Sequence, residues 1–293
     1  MSPHPSPAPR GRRRTARLGA VLALTGLLVA GCDAREVYED ALSFGVPEPI
    51  SDRGENILEL YLGSNAAALV VGVFVWALIL FAAFRYRKRS DDLPRQVRYN
   101  LPIEILYTAV PFVIIAVLFY YTVLSQNYVN ELTGEDDGGI EVAVAGEASD
   151  FVEGSGADVN IGVVGFQWNW QFNYLDEDVS VIGETGAPAQ LVLPTDRTIR
   201  FIETSPDVIH SFFVPEFIFK RDVIPGRANQ FELTLKKEGE FIGRCAEFCG
   251  EKHAFMNFSV KVVSPEEYDS YIDGLQADPN AAVLTNSAAG SAE

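Results

Sequence analysis

Two long uncharged runs constrain this chain more than anything else in it. Ala66 to Phe84 holds 19 residues without a charge and is extended upstream by Leu58–Leu62. Leu101 to Leu124 is a second such run, interrupted only by Glu104 near its start and by Pro111. About 20 apolar residues let a helix cross a bilayer, and in hydrocarbon only a helix or a closed barrel satisfies its own backbone. The expectation is a two-helix transmembrane hairpin over residues 58–124. Its connection, Arg85 to Arg98, carries six basic residues against two acidic ones. A short loop of that charge stays cytoplasmic, which puts both outer ends of the hairpin outside.

The N-terminus agrees independently. Arg10, Arg12, Arg13, Arg14 and Arg17 precede the apolar stretch Leu18 to Ala30, which is too short to span a membrane and reads as an export signal. It ends Val29-Ala30-Gly31-Cys32, which resembles a bacterial lipobox. Residues 1–31 are therefore expected to be a lipoprotein signal peptide, with Cys32 the lipidated first residue of the mature protein. Ordinary cleavage with a free Cys32, or an uncleaved anchor, is the alternative. Residues 32–57 are polar, with turn signals such as Pro47-Glu-Pro49, and form an extracytoplasmic lead-in.

Beyond the hairpin the chain turns acidic. From Ser125 to Glu293 there are 29 Asp/Glu against 10 Lys/Arg, a net of −19. That balance argues against nucleic acid and for a basic partner drawn in by long-range steering, although an acidic surface also keeps exported proteins soluble. Residues 125–158 are acidic and Gly-rich and read as a linker or insertion. From Val159 short runs of β-formers alternate with turns: Ile161–Val164, Gln190–Leu193, Thr198–Ile202, Gln230–Leu235 and Phe258–Val263. They predict an antiparallel sandwich over 159–275. Ser264-Pro-Glu-Glu267 is a capping-box start for a short helix to about Leu275. Residues 276–293 are Ala/Ser/Asn-rich and expected to be disordered.

The chemistry is concentrated in one stretch. The chain has three Cys, three His and two Met. Setting aside Met1, His4 and Cys32, all the rest fall at Cys245, Cys249, His253, Met256 and the upstream His210. A disulfide between Cys245 and Cys249 is possible outside the cytoplasm, but it closes only a small ring and leaves the imidazoles and thioether without a role. Zinc would use two Cys and two His and leave the fifth ligand idle. Two thiolates, two imidazoles and a thioether suit copper better. Two bridging thiolates can build a dinuclear core with one His per copper. Met256 then completes one ion and a backbone carbonyl, most simply that of Glu247, the other.

Cys245-x-Glu247-x-Cys249-Gly-x-x-His253-x-x-Met256 resembles the CuA loop of cytochrome c oxidase subunit II. Asp207-Val-Ile-His210-Ser211, Asp222-Val-Ile-Pro-Gly-Arg-Ala-Asn229, Gln167-Trp168-Asn-Trp170 and Glu104-Ile-Leu-Tyr107-Thr108 with Pro111 resemble further motifs of that family, over about residues 55–275. The resemblance implies two transmembrane helices followed by a cupredoxin-like Greek-key β-sandwich, in a multi-pass protein of the bacterial plasma membrane with its copper domain outside. It implies that His210 and Met256 serve one copper, that His253 and the Glu247 carbonyl serve the other, and that Cys245 and Cys249 bridge. The Glu247 carboxylate would bind Mg²⁺ shared with subunit I, Trp168 would be where electrons enter from cytochrome c, and Glu104 would sit at the mouth of a proton channel. Partners would be subunit I with its haems, subunit III, membrane lipid and a cytochrome c that is soluble or part of a cytochrome bc complex.

By itself, a Trp in a β-sandwich such as Trp168 reads as core, and Glu104 as a boundary carboxylate that snorkels to the interface. The sequence departs from the family pattern at Asn169 between the tryptophans, at Phe172-Asn-Tyr174 and in the long insertion at 131–158. A quinol oxidase subunit would lack the copper ligands. A membrane-tethered copper-delivery protein would need an α/β pattern that is absent here. No Cys-x-x-Cys-His occurs, which excludes a fused haem c domain.

Overall fold

A computed structural model describes residues 43–89, 91, 93, 96–134, 155–184 and 187–277. The signal segment, Cys32 and most of the acidic insertion lie outside the described residues. Two long helices come first, α1 (Asp52–Arg85) and α2 (Leu101–Asn130). At 34 and 30 residues they reach roughly 51 and 45 Å at 1.5 Å per residue, enough to cross a bilayer with turns to spare. Their apolar side chains face outward almost throughout, for example Val70 at 72% and Phe112 at 72% exposure. Only lipid or neighbouring helices can cover such faces.

Both helices extend beyond the apolar runs. α1 starts at Asp52 because Ser51 caps it, its Oγ accepting from the Gly54 N–H at 3.0 Å. α2 continues to Asn130, six residues past Leu124. Ser125 and Val129 are buried there, and Ser125 Oγ lies 2.5 Å from Asn56 Oδ1 of α1. Tertiary contacts therefore carry the helix into what composition marked as linker.

Ten strands follow: β1 (Val159–Phe166), β2 (Asn169–Tyr174), β3 (Val179–Ile182), β4 (Gln190–Pro194), β5 (Thr198–Thr204), β6 (His210–Val214), β7 (Phe219–Val223), β8 (Asn229–Thr234), β9 (Gly239–Cys245) and β10 (Asn257–Val263). They form two five-stranded sheets, ordered β3-β2-β1-β5-β8 and β4-β10-β9-β6-β7. The expected purely antiparallel pattern needs correction. β1 runs parallel to β5 and β4 parallel to β10, because each of those pairs is joined by a long crossover rather than a hairpin. Between the sheets lies an aromatic core, in which Phe258 packs on Trp170, Phe172 and Phe212 with centroids 5.0–5.3 Å apart. Gly243 faces the Phe258 ring across the β9–β10 ladder, and a Cβ there would come within 2.0 Å of it. Helix α3 (Pro265–Ala277) closes the structure, and Ser264 Oγ caps it through the Glu267 N–H at 3.2 Å.

The hairpin is anchored to the sandwich at several points. Thr234 N–H donates to Asp52 Oδ1 at 2.9 Å, Lys236 N–H to the Ile50 carbonyl at 2.8 Å, and Arg221 Nη2 to Asn130 Oδ1 at 2.9 Å. Arg53 donates to the Tyr128 and Glu131 carbonyls, its guanidinium 4.0 Å from the Tyr128 ring centroid. The root of the acidic insertion is held just as firmly. The Thr133 carbonyl accepts from Gly156 N–H at 3.0 Å and from Arg200 Nη2 at 2.5 Å. The Thr133 N–H donates to Glu232 Oε2 at 2.9 Å. Arg200 and Glu232, both 1% exposed, pair at 2.7 Å.

Candidate metal centre

The stretch from Cys245 to Met256 is the connection between β9 and β10. Its ends are tied by Cys245 N–H donating to the Met256 carbonyl at 3.0 Å, and Ala246 N–H reaches the Ser211 carbonyl on β6 at 3.0 Å. That second bond sets the loop beside His210, the first residue of β6. A one-turn 3₁₀ segment, His253–Phe255, brings His253 and Met256 back toward the cysteines.

All six expected donors converge. The two sulfurs lie 3.8 Å apart, far beyond the ~2.05 Å of a disulfide, and both thiols are free. Cys245 Sγ lies 3.9 Å from His210 Nδ1 and 3.2 Å from the Glu247 carbonyl oxygen. Cys249 Sγ lies 3.6 Å from His253 Nδ1 and 3.7 Å from Met256 Sδ. Bonds of about 2.0–2.3 Å to a tetrahedral first-row ion put neighbouring ligand atoms about 3.3–3.8 Å apart. The observed 3.2–3.9 Å matches that spacing. The donor set is soft and mostly buried, with His210 at 0%, Met256 at 1%, Cys249 at 3% and Cys245 at 6% exposure. It therefore fits copper.

The electrostatics favour a thiolate at Cys245. Burial alone would raise its thiol, but hydrogen bonds from His210, the backbone near Glu247 and Ser211, and His253 outweigh it and bring it to about 6. Cys249, penalised by burial and then by the neighbouring Cys245 charge, is pushed up to about 12. A cation binding both sulfurs would thus displace the Cys249 proton.

Two residues without an assigned role in the sequence reading complete the site. Asp207 Oδ1 accepts from His210 Nε2 at 2.9 Å and from Val208 N–H at 2.6 Å, and its Oδ2 accepts from Gln167 N–H at 2.7 Å. With a metal ion bound, the carboxylate would hold the proton on Nε2 and leave the Nδ1 lone pair to the ion. Burial would raise Asp207, but the Gln167 N–H and then His210 and Val208 N–H lower it. Gln167 also donates Nε2 to the Cys249 carbonyl at 2.8 Å. The clue in the sequence was position alone, three residues before His210 and one before Trp168.

The two tryptophans separate cleanly. Trp170 is fully buried, its Nε1 donating to the Met256 carbonyl at 3.4 Å and its ring 6.2 Å from that of His210. Trp168 lies in the β1–β2 turn, half-buried, its Nε1 donating to the Cys249 carbonyl at 3.2 Å. Core packing is thus the part played by Trp170. The Glu247 side chain is exposed while its carbonyl faces Cys245. Glu104 lies far along the chain in the first turn of α2, where Oε1 accepts the Asn100 N–H at 2.9 Å and caps the helix.

Comparison with known proteins agrees with the geometry. Residues 159–263 match the family described as cytochrome c oxidase subunit II, periplasmic domain. The chain is 38% identical to a probable cytochrome c oxidase subunit 2 from Streptomyces coelicolor, over 94% of this chain and 92% of that protein. This chain belongs to the cytochrome c oxidase subunit II family. A Nocardia farcinica relative, also a probable cytochrome c oxidase subunit 2, is 36% identical over 92% of this chain and 84% of its own length. Among solved structures, the periplasmic domain of subunit II from Bradyrhizobium japonicum is 34% identical, covering 41% of this chain and 95% of that one, with a TM-score of 0.39. Membership makes the chain a subunit of a cytochrome c oxidase and accounts for two membrane-length helices in front of an extracytoplasmic domain.

Proposed function

We propose that this chain receives single electrons from a c-type cytochrome outside the membrane and hands them to haem in subunit I, where O2 is reduced and protons are pumped. The convergence of four further donor atoms on a 3.8 Å thiol pair carries the reading. His210 and Met256 would hold one copper ion, His253 and the Glu247 carbonyl the other, with Cys245 and Cys249 shared between them. When bound, the copper pair supplies a one-electron store spread over two metals. The protein's task is to hold the donors still. Asp207 orients His210, the two backbone ties of the β9–β10 loop fix Cys245, and the 3₁₀ turn fixes His253 and Met256. Trp168 places an indole at the surface in hydrogen-bond contact with the main chain of Cys249, and there electrons would enter.

Further assignments belong to the same reading. The exposed Glu247 carboxylate would bind Mg²⁺ together with subunit I, as a hard oxygen ligand suits. Glu104 would stand at a proton-channel mouth on the cytoplasmic side, and subunit III would join the complex. Cys32 would carry a lipid anchor after removal of residues 1–31. The domain division is proposed as before, with the copper domain from 159 to 275. Near-infrared absorption and EPR of the purified oxidase test the central claim, the expected result being a mixed-valence dinuclear copper signal that Cys249→Ser abolishes or converts. A mononuclear signal, or a dinuclear one that survives Cys249→Ser, would overturn it.

A further inference from the structure

From Ser125 onward the chain has 29 acidic and 10 basic side chains, and among the described residues five of those ten form an ion pair with a carboxylate. Lys252 does not. Among the described residues no carboxylate lies within 4.0 Å of its ammonium, although acidic groups outnumber basic ones almost three to one. Its contact is with Trp168, whose ring centroid lies 5.6 Å from Nζ. The ring quadrupole favours a cation over that face. The indole therefore turns its N–H edge inward, onto the Cys249 carbonyl, and carries an exposed positive charge over one face.

A cation is therefore presented at the ring where electrons would enter, in a domain whose overall balance is acidic. Among the described residues no carboxylate pairs with it, and carboxylates on a docked partner would. We propose that Lys252 is a specificity-determining contact that favours a c-type cytochrome with carboxylates beside its exposed haem edge and disfavours one rimmed by lysines. The proposal rests on Trp168 being the point where electrons enter. Local charge at a docking site governs which partner is accepted, while the distant field governs how often partners meet.

The test uses the assembled oxidase at low ionic strength with two reduced donors, a basic lysine-rimmed c cytochrome and an acidic c cytochrome. Lys252→Glu should raise KM for the acidic donor about 3- to 10-fold and lower it for the basic donor by a similar factor, with Lys252→Gln between. Both shifts should shrink toward high salt, where the Debye length falls to about 3 Å at 1 M. Lys261→Glu, the same charge change on β10, should not split the two donors. An intact near-infrared copper band shows that each variant is folded. KM values that stay within 2-fold, or that move in the same direction for both donors, would overturn the proposal. Trp168→Phe separates the two layers. If it leaves electron transfer from both donors unchanged, Trp168 is not the point of transfer and the proposal falls with that reading. If it slows both while Lys252→Glu shifts neither, the proposal alone falls.

Discussion

Asp207 offers the sharpest test of how the fold prepares the metal centre. Its carboxylate serves two strand connections at once. Oδ1 accepts from His210 Nε2 and Val208 N–H, and Oδ2 accepts from Gln167 N–H. Asp207→Asn keeps one oxygen. That oxygen should stay with His210 and Val208, which present two donors, and the amide nitrogen would then face the Gln167 N–H, donor against donor. Asp207→Ala removes both acceptors and leaves a fully buried imidazole N–H unpaired. A hydrogen bond to a charged group contributes about 1.5–3 kcal/mol, and second-shell partners of ligating His typically change metal affinity 10–100-fold, or about 1.4–2.7 kcal/mol. The two scales agree. Asp207→Ala should therefore weaken copper binding about 10–100-fold, and Asp207→Asn by less than half that free energy. Competition titration of copper against a chelator, read by the near-infrared band, measures it. Unchanged affinity in the Ala variant would refute the idea that this carboxylate orients His210. An Asn variant as weak as Ala would refute the assignment of Oδ1 as the dominant acceptor.

Two further outcomes follow from buried charge. Arg200 and Glu232 pair at 2.7 Å with almost no exposure. Arg200→Leu leaves Glu232 buried without its cation and should cost about 3–5 kcal/mol, seen as a lowered thermal midpoint of the sandwich, whereas a loss below about 1 kcal/mol would contradict the clamp. Glu203 is fully buried, both its carboxylate oxygens lack a hydrogen-bond partner, and burial raises its pKa well above the usual 4.5, against the lowering effect of Arg221. The folded state then holds a proton that the unfolded state releases. Stability contributed by this group is full at acidic pH and falls as pH rises from about 4.5, by at most ~1.4 kcal/mol per pH unit. Glu203→Gln should gain on the wild type progressively between pH 5 and pH 8 in thermal unfolding. An equal offset at both pH values would show that Glu203 does not hold that proton.

Much of the site was legible because its ligands are chemically rare in this chain. Cys245, Cys249, His253 and Met256 lie in one twelve-residue stretch, so local spacing alone announces a soft-metal loop, and His210 remains as the unclaimed imidazole. The strands that were recognised are the buried ones, such as β4 and β10, whose runs of branched aliphatics stand out. β2, β3, β7 and β9 lie outside those runs, and β2 and β7 show why. β2 alternates Asn, Gln and Asn with aromatics, and β7 reads Phe-Lys-Arg-Asp-Val, so neither resembles a continuous apolar run. Asp207 and Gln167 stand in recognisable motifs but carry no role in the sequence, because a carboxylate or amide near a ligand is common and only its hydrogen bonds give it a part to play.

By itself the sequence determined the two membrane-length helices, the acidic charge of the outer domain and which residues are candidate soft-metal donors. These follow from length, charge count and residue chemistry, which are local properties. Tertiary structure decided how the donors meet. Strand β6 had to lie beside β9 for His210 to face a sulfur, and β1 had to end against the loop for Trp168 to reach the Cys249 carbonyl. It also decided which tryptophan is core and which is half-buried at the surface, and it placed the Lys252 ammonium over the second. Such relations join residues tens of positions apart, and they are set by which strands pair across the two sheets.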